Sequence, residues 1–117
     1  MGLDMYLEVE DKYGELDEFM YWRKANAIHR WFVEKVQDGN DDCEKYEVSY
    51  EKLYELKNLC EKVINNTKKA HELLPTASGF FFGETSYGEW YFHNIENTIA
   101  SFDKLDPKSK YYYQSCW

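Results

Sequence analysis

The sequence predicts an α+β fold, with three main helices around one aromatic-rich core and a small sheet pairing the N- and C-terminal strands. Three observations carry that expectation. Residues 3–9 (LDMYLEV) alternate apolar and polar side chains with the period of a half-buried strand. Three longer segments repeat apolar residues at helical spacing. Residues 110–117 (KYYYQSCW) read as a final strand that can pair with the first and bring the two ends together.

In the first strand, Leu3, Met5, Leu7 and Val9 share one side and Asp4, Tyr6 and Glu8 the other. Residues 11–15, with Gly14, read as a turn. Asp17 then suits the N-cap or first turn of a helix, with Glu18 beside it. Projected at helical spacing, residues 21–36 place Tyr21, Trp22, Ala25, Ile28, His29, Phe32, Val33 and Val36 on one arc. Arg23, Asn26 and Arg30 form a stripe along its flank. Gly39 and Asn40 close the helix.

Residues 37–45 read as a polar, acidic loop. Asp38, Asn40 and Asp42 match three positions of a calcium loop, but Cys43 stands where glycine is needed and Ser49 where a bidentate glutamate is needed. The pattern therefore argues against calcium. Residues 46–48 suit a short extended piece, and Ser49 caps a second helix carrying Leu53, Leu56, Leu59, Cys60, Val63 and Ile64. Asn65, Asn66 and Thr67 interrupt it, residues 68–74 add a turn or two, and Pro75 ends the run. A loop leads into Phe80, Phe81 and Phe82, bracketed by Gly79 and Gly83. Ser86 and Glu89 match a capping box for a third helix with Tyr87, Tyr91, Ile95, Thr98, Ile99, Phe102 and Leu105. A hairpin pairing residues 80–82 with 90–92 is the rival reading.

With 117 residues and no repeat or linker, residues 1–117 are expected to form a single compact domain that needs neither disulfide nor metal. Aromatics are 19% of the chain, so large rings are expected to dominate the core and to leave some for an exposed binding surface. The net charge of −8 argues against direct nucleic-acid binding or an anionic membrane, because phosphate recognition needs clustered Lys and Arg. A basic protein partner stays open. Cys43, Cys60 and Cys116 are odd in number and widely spaced, which fits free thiols in a reducing compartment. With no basic region followed by an apolar run and no spanning stretch, a cytoplasmic location in a host cell is expected.

The segments MGLDMYL, YWRKANAIHRWF, LLPTASGFFFG and YYYQSCW together resemble a family of short phage and prophage proteins without an established function. The resemblance runs over nearly the whole chain and implies no catalytic residue, cofactor or metal. It implies a context: small accessory phage proteins often bind and block host machinery, including defence systems.

No catalytic signature is present. His29 lies within the apolar arc, where it needs either a hydrogen-bond partner or a ligand. Arg23, Asn26, His29 and Arg30, with stacking from Phe80, Phe81 and Phe82, would suit a planar anion such as a nucleotide. Carboxylates cluster twice: Glu8, Glu10, Asp11, Glu15, Asp17 and Glu18, then Asp38, Asp41, Asp42, Glu44 and Glu47. These are either solvated loops at opposite ends of the first helix or a surface imitating nucleic-acid phosphates. The leading expectation is a non-enzymatic inhibitor of a host nucleic-acid-handling effector such as a CRISPR nuclease. The alternative is a nucleotide-binding or nucleotide-processing protein using the Arg23 stripe. A third reading, a self-associating assembly factor, would show as exposed aromatics and homo-oligomers.

Overall fold

The computed structural model describes residues 2–79 and 82–117. Strand β1 (Asp4–Glu10) runs into a turn in which the Asp11 carboxylate accepts from the backbone N–H of Tyr13 at 2.8 Å and of Glu15 at 2.9 Å. Gly14, at φ +81°, supplies the left-handed residue that this turn requires. The chain therefore folds back on itself. Residues Leu16–Arg23 form strand β2, antiparallel to β1 from Glu10↔Leu16 to Asp4↔Arg23. This corrects the expected helix at 21–36: α1 spans only Asn26–Lys35, and Asp17 sits in a strand instead of capping a helix.

The error has a physical origin. Tyr21, Trp22 and Ala25 suit a helical face, but Met20 and Trp22 also suit alternate positions of a strand. Pairing with β1 buries Met20 and Trp22 against the core and leaves Tyr21 and Arg23 on the other side. Lys24, at φ +53°, then breaks the strand, and the helix begins two residues later.

Other elements follow the sequence more closely. Strand β3 (Tyr46–Val48) leads to Ser49, whose hydroxyl accepts from the N–H of Lys52 at 3.2 Å and caps α2 (Tyr50–Asn65). Asn66 closes α2, and a 3₁₀ turn (Thr67–Lys69) and the short α3 (Ala70–Leu73) precede Pro75. Helix α4 spans Glu89–Phe102, with Gly88 at its N-cap. Ser86 therefore lies outside the cap, which corrects the capping-box reading. Because Trp90, Tyr91 and Phe92 belong to α4, they cannot pair as a strand with residues 80–82; Phe80 and Phe81 themselves lie outside the described residues.

Strand β4 (Tyr111–Cys116) completes a four-stranded antiparallel sheet of order β2-β1-β4-β3, so the two terminal strands are neighbours at its centre. One face of the sheet carries Met5, Leu7, Trp22, Tyr111 and Tyr113, all buried with the apolar sides of the helices. Helices α2 and α4 pack together through buried residues that include Leu53, Leu56 and Cys60 on one side and Ile95 and Phe102 on the other. The radius of gyration, 13.6 Å, is that of a compact chain of this length, about 13.4 Å.

Aromatic rings form the middle of the core. Phe32 stacks on Tyr113 with centroids 3.8 Å apart and planes 6° from parallel, and Trp22 meets both rings nearly edge-on. The Trp22 indole N–H donates to the Thr98 hydroxyl at 2.8 Å, which donates in turn to the carbonyl of Asn94. The polar edge of a buried indole is thus satisfied.

Candidate functional site

Because strand side chains alternate, Asp4, Tyr6, Glu8 and Tyr21 share the sheet's second face, half-buried or exposed, and a bulge between Leu7 and Glu8 that skips Phe19 sets Glu18 opposite Glu8. Register fixes their neighbours. Glu8 lies opposite Glu18 on β2 and opposite Tyr112 on β4, and Tyr112 lies opposite Glu47 on β3. One transverse row therefore reads Glu18, Glu8, Tyr112, Glu47. The next row contains Tyr21, Tyr6 and Gln114, with the two tyrosine rings 5.3 Å apart.

This arrangement corrects one expectation. The two acidic clusters do not simply flank a helix; the sheet sets Glu47 of the second in one row with Glu8 and Glu18 of the first, and Lys45, beside the second cluster in sequence, makes an ion pair to Glu8 at 2.7 Å. Glu8 and Glu18 are like charges on directly paired residues, a juxtaposition that costs stability.

The remaining acids divide. Glu10, Glu15 and Asp17 surround the β1–β2 turn, and Asp38 and Glu44 lie on the 37–45 loop. Three others are used internally. Asp11 holds its own turn. Asp42 accepts from the Tyr46 hydroxyl at 2.6 Å and from the N–H of Glu44, and its pKa is lowered chiefly by the Tyr46 bond. The same bond pushes the Tyr46 hydroxyl up to about 12. Asp41 is bound to His29 and Trp117.

His29 is fully buried and has both ring nitrogens occupied. Its Nε2 lies 2.9 Å from Asp41 Oδ1 and its Nδ1 2.7 Å from the Tyr113 hydroxyl. A carboxylate only accepts, so Nε2 carries the proton and donates to Asp41. Burial lowers the pKa of the ring, with Asp41 opposing, so the neutral form prevails and the Tyr113 hydroxyl donates to Nδ1. Trp117 donates its indole N–H to the same Asp41 oxygen at 3.0 Å, and Phe82 meets the imidazole edge-on. With no free nitrogen and no exposed surface, His29 is a clamp joining α1, the 37–45 loop and β4, and it has no atom to offer a substrate.

A pH dependence follows. The unfolded imidazole has its ordinary value of 6.5, whereas folding lowers it, so the unfolded state binds more protons below that value. The stability contributed by neutral His29 is present above 6.5 and lost as pH falls towards the folded value. Urea midpoints are expected to hold steady from about pH 7.5 to 6.5 and to decline between about 6.5 and 5, above the carboxylate range. His29→Gln should remove that slope; an unchanged slope would refute this role.

Asn26, His29 and Arg30 share α1, with Phe82 against the first two, but Arg23 lies on β2, and this corrects the expected four-residue stripe. Arg23 stands on the open face of β2, paired with Asp4 at 3.0 Å. Arg30 pairs with Glu34 at 3.0 Å within α1. Asn26, buried, spends its whole carboxamide on the chain: it donates to the carbonyls of Phe82 (3.0 Å) and Glu84 (2.9 Å) and accepts from the N–H of Ala77 (3.0 Å). The sequence pattern places Asn26 in a site and does not show that it ties Ala77, Phe82 and Glu84 to α1. Asn26→Ala would leave three part-buried backbone groups without their partner and is expected to cost about 1–3 kcal/mol in urea denaturation.

The thiols are free, and burial pushes Cys60 up to about 12, which makes it unreactive. No group of metal-ligating side chains occurs among the described residues, and none of their helices is long and apolar enough to cross a membrane. Among known proteins, no family model matches the chain, and no curated protein or solved structure is significantly similar to it.

Proposed function

We propose that the protein acts by binding, as an acidic inhibitor that occupies the basic groove of a host nucleic-acid-handling effector, such as a CRISPR nuclease. The observation that carries this reading is the open sheet face, where Glu18, Glu8 and Glu47 from three strands line up around Tyr112. Glu8 is matched by Lys45, whereas Glu18 and Glu47 meet no cation among the described residues and are more readily understood as complementing an external positive surface. Tyr6 and Tyr21 beside the row add rigid area with polar tips, a composition common at interfaces. The net charge of −8 supports attraction to a basic partner, and the resemblance to phage proteins supports a host target. Action would then be in the host cytoplasm.

The nucleotide-binding alternative is less favoured, since Arg23 lies on β2 away from the α1 residues and all four side chains are engaged within the chain. Six aromatic side chains among the described residues are exposed, including Tyr13, Tyr54 and Trp90, and they are spread over several elements.

The test is to co-purify the tagged protein from infected host cells and assay any captured nuclease directly. A nucleic-acid enzyme retained at about 50 mM salt, released at about 500 mM and inhibited in competition with its nucleic acid supports the proposal. Failure to inhibit any captured nucleic-acid enzyme at low salt would sink it.

A further inference from the structure

Strand β3 pairs with β4 antiparallel, from Val48↔Tyr111 through Glu47↔Tyr112 to Tyr46↔Tyr113. Continued in step beyond Tyr46, that register sets Cys43 opposite Cys116. The strand pairing itself stops at Tyr46, but two side-chain bonds hold the next residues alongside β4. The Gln114 carboxamide donates to the Cys43 carbonyl at 2.9 Å, and the Trp117 indole N–H donates to Asp41 at 3.0 Å. Residues 41–43 therefore run beside residues 114–117, and Cys116 falls between the two anchoring side chains.

The side of the sheet agrees with this placement. Tyr111, Tyr113 and Ser115 are buried, so Tyr112, Gln114 and Cys116 share the open face. Gln114 reaches Cys43 from that same face. Cys116 is exposed and Cys43 half-buried, whereas Cys60 is sealed in the core. Cys43 also has φ +59°, a left-handed conformation uncommon for a residue with a side chain, and its carbonyl is held by Gln114. Directly opposed residues of an antiparallel pair have Cα atoms about 4.5–5.5 Å apart, within the span of about 4.4–6.8 Å that a disulfide bridges.

We propose that Cys43 and Cys116 form a modification site, a thiol pair that a peroxide oxidises to an intramolecular disulfide tying the 37–45 loop to the end of β4. The Cys116 sulfur, as thiolate, attacks hydrogen peroxide: an S–O bond forms, the O–O bond breaks, and one water departs with the thiol proton, leaving a sulfenic acid. The Cys43 sulfur then attacks the Cys116 sulfur. The S–S bond forms, the S–O bond breaks, and the hydroxyl leaves as a second water with the Cys43 proton. Two thiols together lose two electrons, and one peroxide gains them. Exchange with glutathione reverses the bond, which suits a transient disulfide in a reducing compartment. Because the bond closes residues 43–116 into a loop, oxidation stabilises the fold.

The experiment treats the reduced, folded protein at low concentration with hydrogen peroxide, blocks the remaining thiols and maps the non-reduced digest by mass spectrometry. The expected product is a monomer two hydrogens lighter with a Cys43–Cys116 linked peptide, formed faster in the folded protein than in urea and reversed by glutathione. Cys60→Ser should keep the link. Cys43→Ser and Cys116→Ser should abolish it, together with the rise in urea midpoint that follows oxidation of the unsubstituted chain. Cys116 is exposed, so Cys116→Ser keeps the comparison valid should Cys43→Ser fail to fold. Gln114→Ala, which frees the Cys43 carbonyl, should slow linkage about fivefold. The proposal is overturned by over-oxidation of Cys116 without linkage, by bridges between chains in place of the internal one, by equal rates in the folded protein and in urea, or by an unchanged rate in Gln114→Ala.

Discussion

Reversing two charges on the open sheet face, Glu18→Lys with Glu47→Lys, should weaken partner binding about a hundredfold at low salt while leaving the fold intact. Each replacement turns an attraction to a basic groove into a repulsion, worth about tenfold or more per site. The stability effect has the opposite sign. Glu18 faces Glu8 across β2 and β1, so Glu18→Lys removes a like-charge contact that the Lys45–Glu8 ion pair already offsets in part, and it should raise stability by up to about 0.5 kcal/mol. A purely structural role for these residues predicts no loss of binding in a more stable protein. Measuring both quantities on the single and double variants separates the two accounts. Full inhibition by the stabilised double variant would remove the acidic face as the binding surface. Reversing Asp11 is a poor substitute, because its carboxylate holds the β1–β2 turn.

Phe32→Ala is expected to be among the most destabilising single substitutions, costing about 3–5 kcal/mol. Phe32 is fully buried, stacks on Tyr113 and touches Trp22 and Trp31 edge-on, so its removal opens a cavity where α1 meets the sheet. A further about 0.5–1.5 kcal/mol belongs to the ring–ring geometry and can be read from a double-mutant cycle with Tyr113→Leu. Tyr113→Phe is the complementary probe. It keeps the stack but removes the hydroxyl that donates to His29 Nδ1, for an expected loss of about 1–3 kcal/mol. Urea unfolding measures all of these, and a Phe32→Ala loss below about 1 kcal/mol would mean that the stack is not what joins helix to sheet.

Legibility varied along the chain for identifiable reasons. The first and last strands, Ser49 as a cap, the α2 core residues and the stop at Pro75 were readable because each depends on local period or local capping chemistry. The hairpin at 4–23 was not. Met20 to Ala25 satisfies both helical and strand periods over too few residues to choose, and only pairing with β1 decides. The acidic clusters were legible as clusters, but their meeting was not, because it depends on the order β2-β1-β4-β3. The start of α1 had no sequence signal, because Ala25 offers no capping side chain, so the helix was placed five residues too early.

By itself the sequence determined the α+β class, the terminal strands, the second helix, an aromatic core and a strongly acidic surface, since these follow from composition and short-range period. The tertiary structure decided what those residues do. Burial without a free nitrogen made His29 a clamp instead of a ligand group. A strand placed where a helix was expected separated Arg23 from Arg30. Antiparallel register set Glu8, Glu18 and Glu47 around one tyrosine, because neighbours across a sheet are chosen by pairing between distant segments, and no local pattern encodes them.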